Sequence, residues 1–154
     1  MKIKQILVAG LALGIAAGAL AQVKPEQQIK WRQSTMQVLG WNMARVKANI
    51  DGSYNKDQVI QAANLIQAVG NGGLGSLFPA GTEKGSGWRD TQVKPEFFTD
   101  GDKVREVAGA FNKEANELAK VAATGDAAAV KAQFGKVGQA CKGCHDKFRV
   151  EEKK

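Results

Sequence analysis

Cys141 and Cys144 are the only two cysteines of the chain, and His145, its only histidine, follows them directly. C-x-x-C-H is the spacing at which haem is attached covalently. Each thiol can add to a vinyl group of the macrocycle, and the adjoining imidazole can bind the iron. Nine residues follow His145 and none is methionine. A sixth iron ligand, if there is one, must come from earlier in the chain. A second histidine ligand from the same chain is excluded.

Two other chemistries use such a motif. A redox-active C-x-x-C opens a helix after a strand in a βαβ pattern. Here the motif closes a helical pattern and no strand pattern precedes it. A structural zinc site needs a fourth ligand besides Cys141, Cys144 and His145, and there is no further histidine or cysteine to supply it. Haem is the chemistry that remains.

The first residues point to export. Lys2 and Lys4 precede an apolar run from Ile6 to Leu20, and Ala19-Leu20-Ala21 has the small-x-small form of a cleavage site. The expected division is a signal peptide over 1–21 and one mature domain over 22–154. The apolar run is short for a membrane span and rich in Gly and Ala. No second such run exists, so no membrane association is expected after cleavage. Export also explains the thiols, because free cysteines seldom persist in an oxidising compartment. The expected location is a bacterial periplasm.

The formal charge is +7, and removal of Lys2 and Lys4 lowers it by two. That balance favours encounter with acidic partners. The basic residues are scattered rather than massed, so nucleic acid is not an expected partner.

Apolar spacing predicts four helices and an all-α fold. The first begins near Pro25 and ends at Asp51-Gly52-Ser53. Its stripe is Ile29, Met36, Met43 and Ile50, with Leu39 and Val46 three residues on from the two methionines. The second runs from Lys56 to Val69, capped by Asn55 with Gln58 three residues later, and Gly70 begins its stop. A long loop rich in glycine follows to Phe98. A loop of that length inside a compact domain usually carries function. The third helix spans Asp100 to Thr124, and Thr124-Gly125-Asp126 supplies a stop and a fresh cap. The fourth carries Val130, Phe134, Val137, Cys141, Cys144 and Phe148 on one seam. The two cysteines therefore continue the core face, and His145 lies four residues after Cys141 on nearly the same side.

Arg32 sits on the apolar stripe of the first helix, where a charge is costly unless paired. Two readings are open. It can snorkel out at the helix end, or its planar guanidinium can meet a haem propionate. Gln33 beside it can add a second hydrogen bond. Met36, one turn further on, has three readings: core filler, a cover over the open iron face, or the sixth ligand. Arg149, one turn after His145, is either a solvated cation at a helix end or a cation beside the proximal imidazole. Trp31 lies off the core stripe, as an exposed patch or an interface residue would.

These residues together resemble cytochrome c′, the class II c-type cytochromes. The likeness covers essentially the whole mature chain. It is carried by Lys24-Pro25-Glu26, by Ile29-Lys30-Trp31-Arg32-Gln33-Ser34, and by the loop pieces Phe78, Gly81-Thr82-Glu83 and Lys94-Pro95-Glu96-Phe97-Phe98. Ala140-Cys141-Lys142-Gly143-Cys144-His145-Asp146 completes it. The resemblance implies an antiparallel four-helix bundle, up-down-up-down, with haem near the C-terminal helix. It implies one haem c per chain, held through Cys141 and Cys144, with His145 as the only protein ligand to a five-coordinate, high-spin iron. Arg32 and Gln33 match propionate contacts, with Ser86 as a further candidate. Met36 and Phe78 match distal wall residues, and Arg149 matches the basic residue near the proximal histidine. It implies nitric oxide and carbon monoxide as ligands, and a homodimer packed through the first two helices. Family members also transfer electrons, which implies a redox partner protein.

Three functions follow as expectations. The first is a gas-binding haem protein whose distal side offers no hydrogen-bond donor. The second is a low-spin electron carrier with His145 and Met36 as axial ligands. The third, a haem enzyme such as a peroxidase, needs a distal acid–base group that the Met36 face lacks. The chain is not expected to be an enzyme.

Overall fold

The computed structural model describes residues 23–150. The expected signal peptide and its cleavage site lie outside the described residues. Four helices follow one another: α1 (Pro25–Asp51), α2 (Lys56–Asn71), α3 (Gly101–Thr124) and α4 (Ala127–Phe148).

Local chemistry sets most of the boundaries. Pro25 opens α1, where its missing N–H and fixed φ cost nothing. Asn55 Oδ1 accepts the N–H of Gln58 at 3.0 Å and caps α2. Asp100 caps α3 through the N–H of Lys103, and Asp126 caps α4 through the N–H groups of Ala128 and Ala129. Gly125 ends α3 in the left-handed region at φ 82°, a conformation that favours glycine.

Each helix packs on the next in sequence, and α1 and α4 meet more sparsely. The molecule is the antiparallel up-down-up-down bundle. Its core confirms the alternation. Val46, Ile66, Leu118 and Val130 belong to one buried cluster. They come from the second half of α1, the middle of α2, the second half of α3 and the first half of α4. The opposite halves of α1, α3 and α4 diverge around a cavity.

Two expectations are corrected. The helix α2 continues through Gly70 to Asn71. Gly70 is buried there, and a side chain at that position would lie 3.0 Å from Asn112 Oδ1 and 3.3 Å from Phe111. It serves close helix packing rather than a stop. On α1, Asn42 and Asn49 are buried, whereas Met36, Met43 and Ile50 are partly so. Each asparagine amide donates to the carbonyl four residues back, which satisfies it inside the core.

The connection between α2 and α3 is more ordered than its composition suggests. It contains two short 3₁₀ turns, Leu74–Leu77 and Pro95–Phe98. It is also bonded to both neighbouring helices, as described next.

Candidate functional site

The cavity between the diverging helix halves measures about 680 Å³, within the range of cofactor pockets. Cys141, Cys144 and His145 all line it. The helical spacing of α4 brings them there, with His145 one turn beyond Cys141. The cysteines form no disulfide. Burial pushes the Cys141 thiol up, and burial followed by the neighbouring Cys141 does the same to Cys144. The His145 imidazole is held below its ordinary 6.5, first by partial burial and then by the Arg149 cation, with Asp146 acting the other way.

Across the cavity stands α1. Arg32 is only 3% exposed, so it does not snorkel. Its Nη1 donates to Thr82 Oγ1 at 2.9 Å, and its Nη2 donates to the Thr82 carbonyl at 2.9 Å and to Thr91 Oγ1 at 2.7 Å. All three acceptors are uncharged. Burial lowers the Arg32 pKa, and Glu83 offsets this only in part. Among the described residues no carboxylate is hydrogen-bonded to this guanidinium. A buried cation held by neutral oxygens beside a cavity suits an anionic group brought in by a cofactor.

Gln33 fastens the same loop. Its Oε1 accepts the N–H of Trp88 at 2.7 Å, and its Nε2 donates to the Arg89 carbonyl at 2.8 Å. Gln33, Met36 and Phe78 line the cavity with Arg32, and Arg149 lines it near His145. Ser86 does not: it is exposed, and its hydroxyl donates to Asp90. Asp90, rather than Ser86, borders the cavity.

The loop also closes the cavity at the end of α4. Lys94 N–H donates to the Phe148 carbonyl at 2.8 Å, and Val150 N–H to the Gln92 carbonyl at 2.8 Å, an antiparallel bridge across the end of α4. Arg149 Nε donates to Gln92 Oε1 at 3.2 Å. Phe97 stacks on Phe78, with ring centroids 4.3 Å apart, and meets Phe148 edge-on at 5.4 Å. One aromatic group thereby joins the loop to α4.

Sequence reasoning missed Thr91, Gln92 and Phe97 as parts of this wall, and Thr82 as the residue behind it that Arg32 holds. It also missed Gly40 and Gly138, which line the cavity with nothing within 4 Å of where a side chain would start. A glycine inside a helix costs roughly 1 kcal/mol against alanine. Sequence alone does not separate these two from Gly109, Gly135 and Gly143, helical glycines that also meet open space but do not line the cavity.

The residues present fit a covalently held haem. Two thiols and an imidazole share one helix face, the walls are mostly apolar, and a buried guanidinium stands opposite. Among the described residues no group of three or more His, Cys, Asp and Glu side chains is arranged to hold a metal ion by itself.

The family model for Cytochrome C′ matches residues 27–149. The chain belongs to the cytochrome c′ family. It is 74% identical to the cytochrome c′ of Rhodocyclus tenuis over 130 residues, covering 84% of this chain and 98% of that one. It is 51% identical to that of Allochromatium vinosum, covering 92% of each. Among solved structures, a cytochrome c′ described as having ligand-controlled dimer dissociation is 50% identical, with a TM-score of 0.82 over 85% of this chain and all of the other. A nitric oxide complex of a cytochrome c′ variant from Alcaligenes xylosoxidans is 26% identical, with a TM-score of 0.75 over 84% of this chain and 98% of that one. Membership of the family implies c-type haem, and Cys141 and Cys144 are placed as its attachment requires. Among the described residues no helix is long and apolar enough to cross a membrane.

Proposed function

We propose that this chain is a periplasmic, high-spin cytochrome c′ that binds nitric oxide and carbon monoxide and exchanges electrons with a partner protein. The observation that carries the reading is that Cys141, Cys144 and His145 open on the same cavity as the buried Arg32. When bound, haem supplies an iron that takes a diatomic gas as ligand and changes its charge by one electron.

The side chains divide the remaining work. Cys141 and Cys144 hold the group by thioether bonds, so it stays in place when the iron changes state. His145 is the one protein ligand, on the α4 side. Arg32 and Gln33 orient the propionate edge, and Arg149 sets a cation beside the proximal imidazole. Met36 and Phe78 wall the opposite side without a hydrogen-bond donor. A polar ligand gains no hydrogen bond from these two side chains, whereas nitric oxide needs no such partner. Asp90, the sole carboxylate among the lining residues, belongs to the loop and accepts the Ser86 hydroxyl. That arrangement supports ligand binding over acid–base turnover, and the chain is read as not an enzyme.

Export rests on the segment ending at Ala21. Self-association, which this reading places on α1 and α2, draws support only in its existence from the relative described as having ligand-controlled dimer dissociation, and nitric oxide binding draws support from the Alcaligenes complex.

The deciding measurement is the visible spectrum of the purified ferric protein. A high-spin spectrum, followed by formation of a nitric oxide adduct, is the expected result. A methionine–iron charge-transfer band near the red edge overturns the five-coordinate reading in favour of His145 and Met36 as axial ligands. Mass spectrometry showing two free thiols after maturation in a competent host overturns the whole assignment.

A further inference from the structure

A second, smaller pocket of about 230 Å³ lies between α1, the end of α2 and the 3₁₀ turn Leu74–Leu77. Thr35, Val69 and Leu77 line this pocket and not the large cavity, whereas Gly73 and Leu74 line both. The two spaces therefore share a wall made of one glycine and one leucine. On α1 the border falls between Thr35, in the outer pocket, and Met36, in the inner one. The shared wall meets α1 at the residue assigned to the gas-binding side.

The outer pocket has an open mouth and a mostly apolar lining. Gly72, Gly73 and Ser76 at its edge are exposed. Both of its hydroxyls are already used. Thr35 Oγ1 donates to the Trp31 carbonyl at 2.9 Å, and Ser76 Oγ to the Gly73 carbonyl at 2.8 Å. Apolar space of this kind takes up small apolar atoms and molecules such as xenon.

The turn that carries the shared wall is the least tied part of the long connection. Elsewhere the connection is bonded to α1 through Arg32 and Gln33, and to the end of α4 through Lys94. Among the described residues, the hydrogen bonds of residues 74–78 all run within 73–78. The Ser76 N–H donates to the Gly73 carbonyl at 2.8 Å, and the Phe78 N–H to the Gly75 carbonyl at 3.1 Å. Phe78, just beyond the turn, is fixed by the Arg32 guanidinium, 5.1 Å from its ring centroid, and by Phe97. Leu74 itself is held by packing against the core cluster. It can part from the helices without breaking a hydrogen bond, as a low-cost local opening requires.

We propose that the outer pocket is the entrance by which a diatomic gas reaches the Met36 side of the cavity, and that Leu74, which borders both spaces, is its gate. The entrance rests on the gas-binding reading above. A gate differs from a wall of the binding site in one measurable way. It sets a barrier that is crossed in both directions, so it changes association and dissociation by the same factor and leaves the equilibrium constant where it was.

The test is the kinetics of carbon monoxide with the ferrous, haem-loaded protein, by flash photolysis and stopped flow, beside crystals of the ferric protein held under xenon. Leu77→Trp fills the outer pocket without adding bulk at a residue of the inner one. It slows association and dissociation alike by about tenfold, with the dissociation constant unchanged. Val69→Phe, which fills the same pocket from α2, gives the same pattern and stands in should the first variant fail to fold. Leu74→Ala thins the gate and speeds both rates together. Xenon occupies the wild-type pocket beside Val69 and Leu77 and is absent from Leu77→Trp. Wild-type rates in both filled variants overturn the entrance, with or without xenon in the pocket. A Leu74→Ala protein whose dissociation constant moves as far as its association rate makes Leu74 part of the binding site and overturns the gate. A wild-type pocket empty of xenon overturns the site. Failure of the wild-type ferrous protein to bind carbon monoxide at all overturns the proposed function and the entrance with it, while xenon still decides whether the pocket takes up an apolar gas.

Discussion

Arg32 donates to both oxygens of Thr82, a residue fifty positions away, through two hydrogen bonds of 2.9 Å. A third bond, to Thr91 Oγ1, pins the loop at a second point. The residue that faces the cavity as a cation thus also holds the cavity's outer wall. Replacement by Met keeps the stem and loses all three bonds, leaving the Thr82 oxygens without their donor. Removing bonds to a buried charged group costs about 2–4 kcal/mol. Denaturant unfolding of Arg32→Met checks this. Arg32→Lys recovers only part of the loss, because an ammonium cannot span three acceptors as the planar fork does.

How legible this was depends on the range of the interaction. The charge on an apolar stripe singled out Arg32, and a heptad pattern reads directly as a helix face. The caps at Asn55 and Asp126 are local and were equally readable. Thr82 and Thr91 were not, because nothing in their neighbourhood says which helix they will meet. The bridge of Gln92–Lys94 to Phe148–Val150 is likewise long-range and too short to show strand alternation. Polarity alone does not reveal the burial of Asn42 and Asn49, which depends on backbone bonds within the helix. Likeness to the family points to Ser86, whereas the loop turns Asp90 to the cavity.

Gly87 makes a sharper test of the loop. The atoms facing its missing side chain include the α1 backbone, which cannot swing away as a flexible side chain can. Gly87→Ala is therefore expected to lift the loop and destabilise the fold by about 1–3 kcal/mol. Loss of the Trp88 contact with Ser34 should appear as a red shift of tryptophan emission. Gly135→Ala, where nothing stands within 4 Å, is the control and should be neutral or slightly stabilising.

Glu83 gives the loop a pH dependence. Its carboxylate accepts its own backbone N–H and that of Gly81, the latter at 3.0 Å, and these bonds hold it below its ordinary 4.5; the Arg32 charge adds to the effect. A carboxylate whose pKa is lower folded than unfolded stabilises the fold above the unfolded value. That contribution fades as pH falls through the folded value. Hydrogen exchange of the 81–91 segment should accelerate relative to α3 as pH drops below about 4.5. Glu83→Gln should show the loosened loop already at neutral pH and lose the extra acid sensitivity. Identical profiles for the two proteins would show that Glu83 does not hold the loop.

On the proposed gas-binding reading, Met36 decides how the cavity treats a ligand. It lies one turn after Arg32, lines the same cavity as His145 and is partly buried. As a wall, it obstructs the approach of a gas to the side opposite His145. Truncation to alanine then widens that approach and should raise the association rate of carbon monoxide by about tenfold, or ~1.4 kcal/mol of barrier. The ferric spectrum should stay high-spin, because no ligand has been removed. Met36→Leu restores the bulk without the sulfur and should return the rate close to the wild-type value. A methionine bound to iron predicts a different set: alanine and leucine would both convert a low-spin spectrum to a high-spin one. Rate and spectrum together separate bulk from coordination, since leucine shares the first property of methionine and lacks the second.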